Sequence, residues 1–136
     1  MIDAAAYFEE VKRYFIYLIT EYSFWIRDEE IRANVYYDLR FRSQEKEISI
    51  SYENLEDYFL VRLYLLHDGQ MPKFNDKEGI MDLRKLNEVI ISRLDKQEIL
   101  LNNEFFANFS PSNLIGREIL KAAKDLRLCL KHFDEL

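Results

Sequence analysis

Apolar residues recur every three or four positions near the start of the chain, at Ala4, Phe8, Val11, Phe15, Leu18 and Tyr22. That spacing lines one helical face, so an amphipathic helix is predicted over residues 3–22. Tyr7, Tyr14 and Tyr17 fall beside the stripe and widen it. From Glu21 the period drops to two. Tyr22, Phe24 and Ile26 alternate in EYSFWIRD, ahead of the charged residues Asp28, Glu29 and Glu30. Val35, Tyr37, Leu39 and Phe41 then alternate with Tyr36, Asp38, Arg40 and Arg42. After SQEK, Ile48, Ile50 and Tyr52 alternate with Glu47, Ser49, Ser51 and Glu53. DYFLVRLYLL is apolar almost throughout, as in a strand covered on both faces or central in its sheet.

The second and third strands predict their own register. With residues 43–46 as the loop, Arg42 faces Glu47, Phe41 faces Ile48, Leu39 faces Ile50 and Tyr37 faces Tyr52. Every apolar side chain then lies on one face, and an opposite-charge pair closes the hairpin. Slipping by one residue sets apolar groups against polar ones. Gln44, Glu45 and Lys46 belong to the turn, and Asp38 points away from the core.

HDGQMPKFNDKEG, residues 67–79, holds two of the three glycines and one of the two prolines, and reads as an exposed loop. Helical spacing returns at Ile80, Leu83, Leu86, Ile90 and Leu94. LDKQEILLNNEFFANF is ambiguous in its spacing and reads as a second short helix and an aromatic-rich connector. SPSN starts the last helix, with Ser110 as cap and Pro111 at its first position. Its buried stripe is Ile115, Ile119, Ala122, Leu126, Cys129 and Phe133. The expectation is a single α+β domain over residues 1–136. It has an N-terminal helix, a four-stranded antiparallel meander and two or three C-terminal helices on one face.

Composition narrows the partners. A chain of 136 residues with 49% hydrophobic content can build one packed core. A net charge of −6 and a pI near 5.0 weigh against nucleic acid or an anionic membrane as partner, and suit a basic protein. The single cysteine, Cys129, excludes an intrachain disulfide and a Cys-rich metal site. Asp3, Glu9 and Glu10 stand early in the chain, unlike a signal or transit peptide, and the apolar runs are far short of a membrane span. The expected location is the cytosol.

Candidate chemistry is sparse. Three scattered glycines cannot form a phosphate loop. His67 and His132 stand alone in their segments, and Cys129 lies on an apolar helical stripe rather than beside a base. A metal-dependent nuclease would need acids on adjoining strands beside a lysine. Here Asp38 is followed by Gln44, Glu45 and Lys46, with Gln44 where an acid is required. No catalytic residue, metal ligand or cofactor is expected. The acids are the noticeable surface feature: Asp28, Glu29 and Glu30, then five acids against one lysine across residues 45–57. Tyr36, Tyr52 and Tyr58 lie among them, and tyrosine is a common interface anchor. Charged strand ends that prevent edge-to-edge pairing are the other explanation.

YFIYLITEYSFWI and VYYDLRFRSQEKEISISYENLEDYFLVRLYLL resemble the layout of small immunity proteins from bacterial polymorphic and contact-dependent toxin systems. The matching residues are Phe15, Leu18, Glu21, Tyr22, Phe24, Tyr36, Ile48, Ile50 and Tyr52, and the likeness covers about half the chain. It implies a non-enzymatic cytosolic monomer that binds the C-terminal domain of a cognate toxin one-to-one and blocks its active site or substrate path. Many such toxins are basic nucleases. The expected toxin-binding residues are Asp28, Glu29, Glu30, Tyr36, Tyr52, Glu53, Glu56, Asp57 and Tyr58. Two alternatives stand beside it. One is an acidic secretion chaperone that binds an effector segment, though those proteins usually interpose a helix among their strands. The other is the nuclease-like enzyme.

Overall fold

A computed structural model describes residues 2–133. The chain forms two compact units, Met1–Asp82 and Leu83–Leu136.

The first unit opens with α1 (Ala4–Tyr14), capped by Asp3, whose carboxylate accepts the Ala6 N–H at 2.8 Å. The helix predicted over residues 3–22 is interrupted at Phe15 and Ile16 and resumes as the single turn α2 (Tyr17–Thr20). Tyr14, Phe15, Tyr17 and Leu18 are all buried. They span a wider arc than one face of a straight helix offers, and the break lets all four point inward.

Five strands follow in sequence order as an antiparallel meander: β1 (Trp25–Arg32), β2 (Tyr36–Arg42), β3 (Lys46–Glu53), β4 (Tyr58–Leu65) and β5 (Ile80–Asp82). The β2–β3 register has the predicted pairs, Arg42 with Glu47 through Tyr37 with Tyr52. Leu39, Phe41, Ile48 and Ile50 are fully buried on the helix-bearing side, where the Tyr7 hydroxyl of α1 donates to the Ile50 carbonyl at 2.8 Å. β4 is flanked by β3 and β5.

Two expectations need correction here. The sheet has five strands, because Ile80 begins a strand rather than a helix; β5 pairs with Arg62, Leu63 and Tyr64 of β4. β1 begins at Trp25 and contains the acids expected beyond its end. An edge strand needs little burial, so its charged side chains are tolerated, and they also deter wrong pairing. β1 and β2 are joined through Ala33 and Asn34, both with positive φ (51° and 58°). That is the geometry of a tight hairpin turn, reached here without glycine.

The β4–β5 loop is fastened internally. The Asp76 carboxylate accepts from the Glu78 and Gly79 N–H groups, both at 3.1 Å. A side chain at Gly79 would press to 2.7 Å from Asp76 Oδ2 and 2.9 Å from Pro72 Cβ.

The second unit contains α3 (Leu83–Ile90), a 3-10 turn (Ile91–Arg93), α4 (Lys96–Phe105) and α5 (Leu114–Lys131). Asp95 and Glu98 form a capping box on α4, the short helix read in that segment, and the aromatic residues Phe106 and Phe109 follow it in a turn. α5 is capped by Asn113 rather than Ser110, and Pro111 packs instead against Gly116. Ile119, Ala122, Leu126 and Cys129 are buried as predicted, while Ile115 and Phe133 are half-buried. α4 is polar on its α5 side: Asn102 donates to the Lys124 carbonyl at 3.0 Å and accepts from Arg127 at 2.9 Å. Glu98 contacts His132, and that contact with Lys131 holds its carboxyl below the ordinary range although burial acts in the opposite sense. Its apolar residues Leu100 and Leu101 face solvent, 56% and 52% exposed.

Cys129 Sγ lies 3.2 Å from Asn87 Oδ1. Burial, with Asp125 adding, pushes its pKa up to about 12. Thiolate is the reacting form, so a disulfide reagent at pH 8 is expected to label the native thiol at least ~100-fold more slowly than the urea-unfolded one. Equal rates would place the thiol in solvent.

Candidate functional site

The side of the sheet opposite α1 is the candidate site. Cross-strand pairing places its side chains in four rows. The first is Trp25, Arg42, Glu47, Tyr64 and Ile80; the second is Asp28, Arg40, Ser49, Arg62 and Asp82. The third is Glu30, Asp38, Ser51 and Leu60; the fourth is Arg32, Tyr36, Glu53 and Tyr58. A bulge between Ile26 and Asp28 sets Arg27 among the first two rows, where it reaches Glu47 at 3.5 Å.

Two carboxylates lie beneath this surface, Asp38 and Glu47, both with no exposed area. Arg40 joins them, donating Nε to Asp38 and Nη1 to Glu47, each at 2.8 Å. Arg42 Nε adds a second bond to Glu47 at 2.8 Å, and the Ser49 hydroxyl donates to Asp38 at 2.6 Å. Burial disfavours the charge on Arg40, but the bonds to Glu47 and Asp38 outweigh it and hold its pKa above the ordinary value. The Arg40 guanidinium also lies 5.6 Å from the Tyr64 ring centroid, and that of Arg32 lies 4.9 Å from the Tyr36 ring. Such a network fixes arginines in place at the surface. It leaves neither buried carboxylate free to act as a base or bind a metal.

The sequence-predicted residues divide. Asp28, Glu30, Tyr36, Glu53 and Tyr58 share the open face. Tyr58 is 51% exposed, and Glu56 is exposed in the adjoining turn. The Glu53 carboxylate accepts from the Leu55 and Glu56 N–H groups at 2.8 Å and so shapes that turn. The ion pair with Arg32 lowers the pKa of Glu30. Three residues do not belong to this face. Glu29 pairs with Leu39, hence points to the helix side, and contacts Lys12 of α1. Tyr52 is buried on that same side and donates to Asp57. Asp57, with a φ of 51°, is thereby engaged in closing the turn.

Missed altogether were Trp25, Arg27, Arg40, Arg42, Glu47, Arg62 and Tyr64. The Arg42–Glu47 pair was visible in the register, and strand parity from it would have gathered the rest. The nuclease arrangement is not assembled. Asp38 is engaged by Arg40 and Ser49, whereas Lys46 pairs with Leu65 on the opposite face. Among the described residues no group of three or more His, Cys, Asp or Glu is placed to hold a metal. None of their helices is long and apolar enough to cross a membrane.

No family model, no curated protein and no solved structure matches this chain.

Proposed function

We propose that this chain is an immunity protein that binds and neutralises a cognate bacterial toxin domain in the cytosol, through the open face of its sheet. The observation that supports this most is the composition of that face. Trp25, Tyr36, Tyr58 and Tyr64 stand among arginines braced by buried carboxylates. Trp, Tyr and Arg are the side chains that dominate interface energetics. Bracing them beforehand reduces the rotamer entropy lost on binding.

The test is growth. The C-terminal domain of the protein encoded immediately upstream is expressed with and without this chain. Toxicity relieved by this chain, and not by an unrelated acidic protein of similar size, is the expected result. A harmless domain, or equal killing in both cases, removes the proposal.

The secretion-chaperone reading is favoured by a different observation. Ile91, Leu100 and Leu101 are 68%, 56% and 52% exposed on the second unit, and a chaperone presents apolar surface to an unfolded segment. It requires binding to an unfolded effector segment, with no relief of toxicity.

A further inference from the structure

Residues 66–79 join β4 to β5 without helix or strand. Such loops longer than about 12 residues are uncommon in compact domains and usually functional. The chain fastens this one at both ends. Asp68 and Gly69 have positive φ (52° and 77°), and across them His67 and Gln70 exchange backbone hydrogen bonds of 2.9 and 3.0 Å. That is a tight hairpin turn built on Asp followed by Gly, a pair well suited to it. The Leu66 N–H donates to the Glu45 carbonyl and the Leu65 N–H to that of Gly79, both at 2.8 Å. Between these anchors the Asp76 N–H closes a second turn on the Lys73 carbonyl at 2.9 Å, while its carboxylate holds the Glu78 and Gly79 N–H groups.

Phe74 follows Lys73 at the crest of that second turn and is 95% exposed, the highest value for a large hydrophobic side chain among the described residues. Met71, three residues before it, is exposed as well. A lone apolar side chain in solvent is ordinary. Phe74 differs because backbone bonds on either side hold it out, and because its loop is tied to the open face. Arg42 Nη1 donates to the Gly69 carbonyl at 3.4 Å, which fixes the loop to the first row, with Trp25 and Tyr64. Phe74 is five residues beyond Gly69, at most about 17 Å of extended chain. A standard interface covers about 800 Å² per partner, roughly 30 Å across. One protein docked on the first row therefore also reaches Phe74.

We propose that Phe74 is an anchor of the contact: it inserts into an apolar pocket on the bound toxin domain, next to the surface that covers the first row. This rests on the toxin-binding proposal and names where the partner is concave and apolar. Aromatic side chains seated in dry pockets dominate interface energetics, and a turn already held by its own hydrogen bonds loses little further freedom on docking. The charges beside Phe74 are mixed, Lys73 and Lys77 against Asp68, Asp76 and Glu78. With an overall charge of −6 they do not favour an anionic bilayer as the occupant.

The test uses the upstream-encoded toxin domain as probe and measures association and dissociation rates for the wild type and for Phe74→Ala. The Phe74 side chain has no share in the core, so the two proteins should melt alike, which checks the fold. The affinity of Phe74→Ala is expected to fall about 30-fold or more, nearly all of it through faster dissociation. An unchanged affinity overturns the anchor and leaves the toxin-binding proposal standing. Failure of the wild-type chain to bind overturns both. Two other results also count against the inference. Sedimentation of the wild type with phosphatidylglycerol vesicles, abolished in Phe74→Ala, would assign the residue to a lipid surface. A dimeric mass by light scattering that reverts to the monomer in Phe74→Ala would assign it to a second copy of this chain.

Discussion

Glu47→Leu is expected to be the most damaging single change on the open face, lowering stability by about 3–5 kcal/mol. The carboxylate accepts from Arg40 and Arg42 and lies within reach of Arg27, with no solvent exposure of its own. Removing it strands partly buried guanidinium charge, which costs more than the intact ion pair contributes. Domains of this size have only about 5–15 kcal/mol in total. Urea denaturation should therefore show a markedly lower midpoint. A control separates the broken pair from the mere loss of polarity: changing Asp38, Arg40 and Glu47 together to apolar residues of similar volume should cost less than Glu47→Leu alone. An unchanged midpoint for Glu47→Leu would mean that the arginines find water without difficulty.

The second large effect is expected at Tyr7. Its ring is fully buried, 5.7 Å from that of Phe8, 5.6 Å from Tyr37 and 5.9 Å from Tyr52. Tyr7→Ala should cost about 3–5 kcal/mol through the cavity it leaves. Tyr7→Phe keeps the ring, loses the bond to Ile50 and should cost about 1 kcal/mol. Burial, followed by the charge of Asp38, raises the Tyr7 pKa well above its ordinary value. The neutral phenol is thus favoured in the folded state. Its contribution is fully present below about pH 10 and declines at higher pH, as the unfolded chain gains by ionising. Stability of the wild type should fall above that pH, and Tyr7→Phe should flatten the fall.

What the sequence revealed follows from where burial constrains it. The β2–β3 register was legible residue by residue because a slip exposes Leu39, Phe41, Ile48 and Ile50 together. β5 was not, since Ile80 stands three residues before Leu83 and six before Leu86, a spacing that a helix satisfies equally well. The cap at Asn113 was obscured by Ser110 and Pro111, an equally good start on local grounds. For the site, alternation correctly assigned Asp38 to the face away from the core. It gave no sign that Arg40 would fold across and bury it. Tyr52 is the opposite case: its place opposite Tyr37 already put it on the apolar side, and its proximity in sequence to Glu53 and Glu56 obscured that.

The strand order carries a kinetic consequence. Each strand pairs with its neighbour in the chain, and the sheet needs no distant segment to complete it. Such local topologies fold quickly, whereas sheets closed by remote strands fold slowly. Synthesis of 136 residues takes roughly 7–27 s at cellular elongation rates. The first four strands end at Leu65, so hairpins can form on the nascent chain well before its last helix is made. The sheet face proposed above for partner binding therefore belongs to the part of the chain that can fold first.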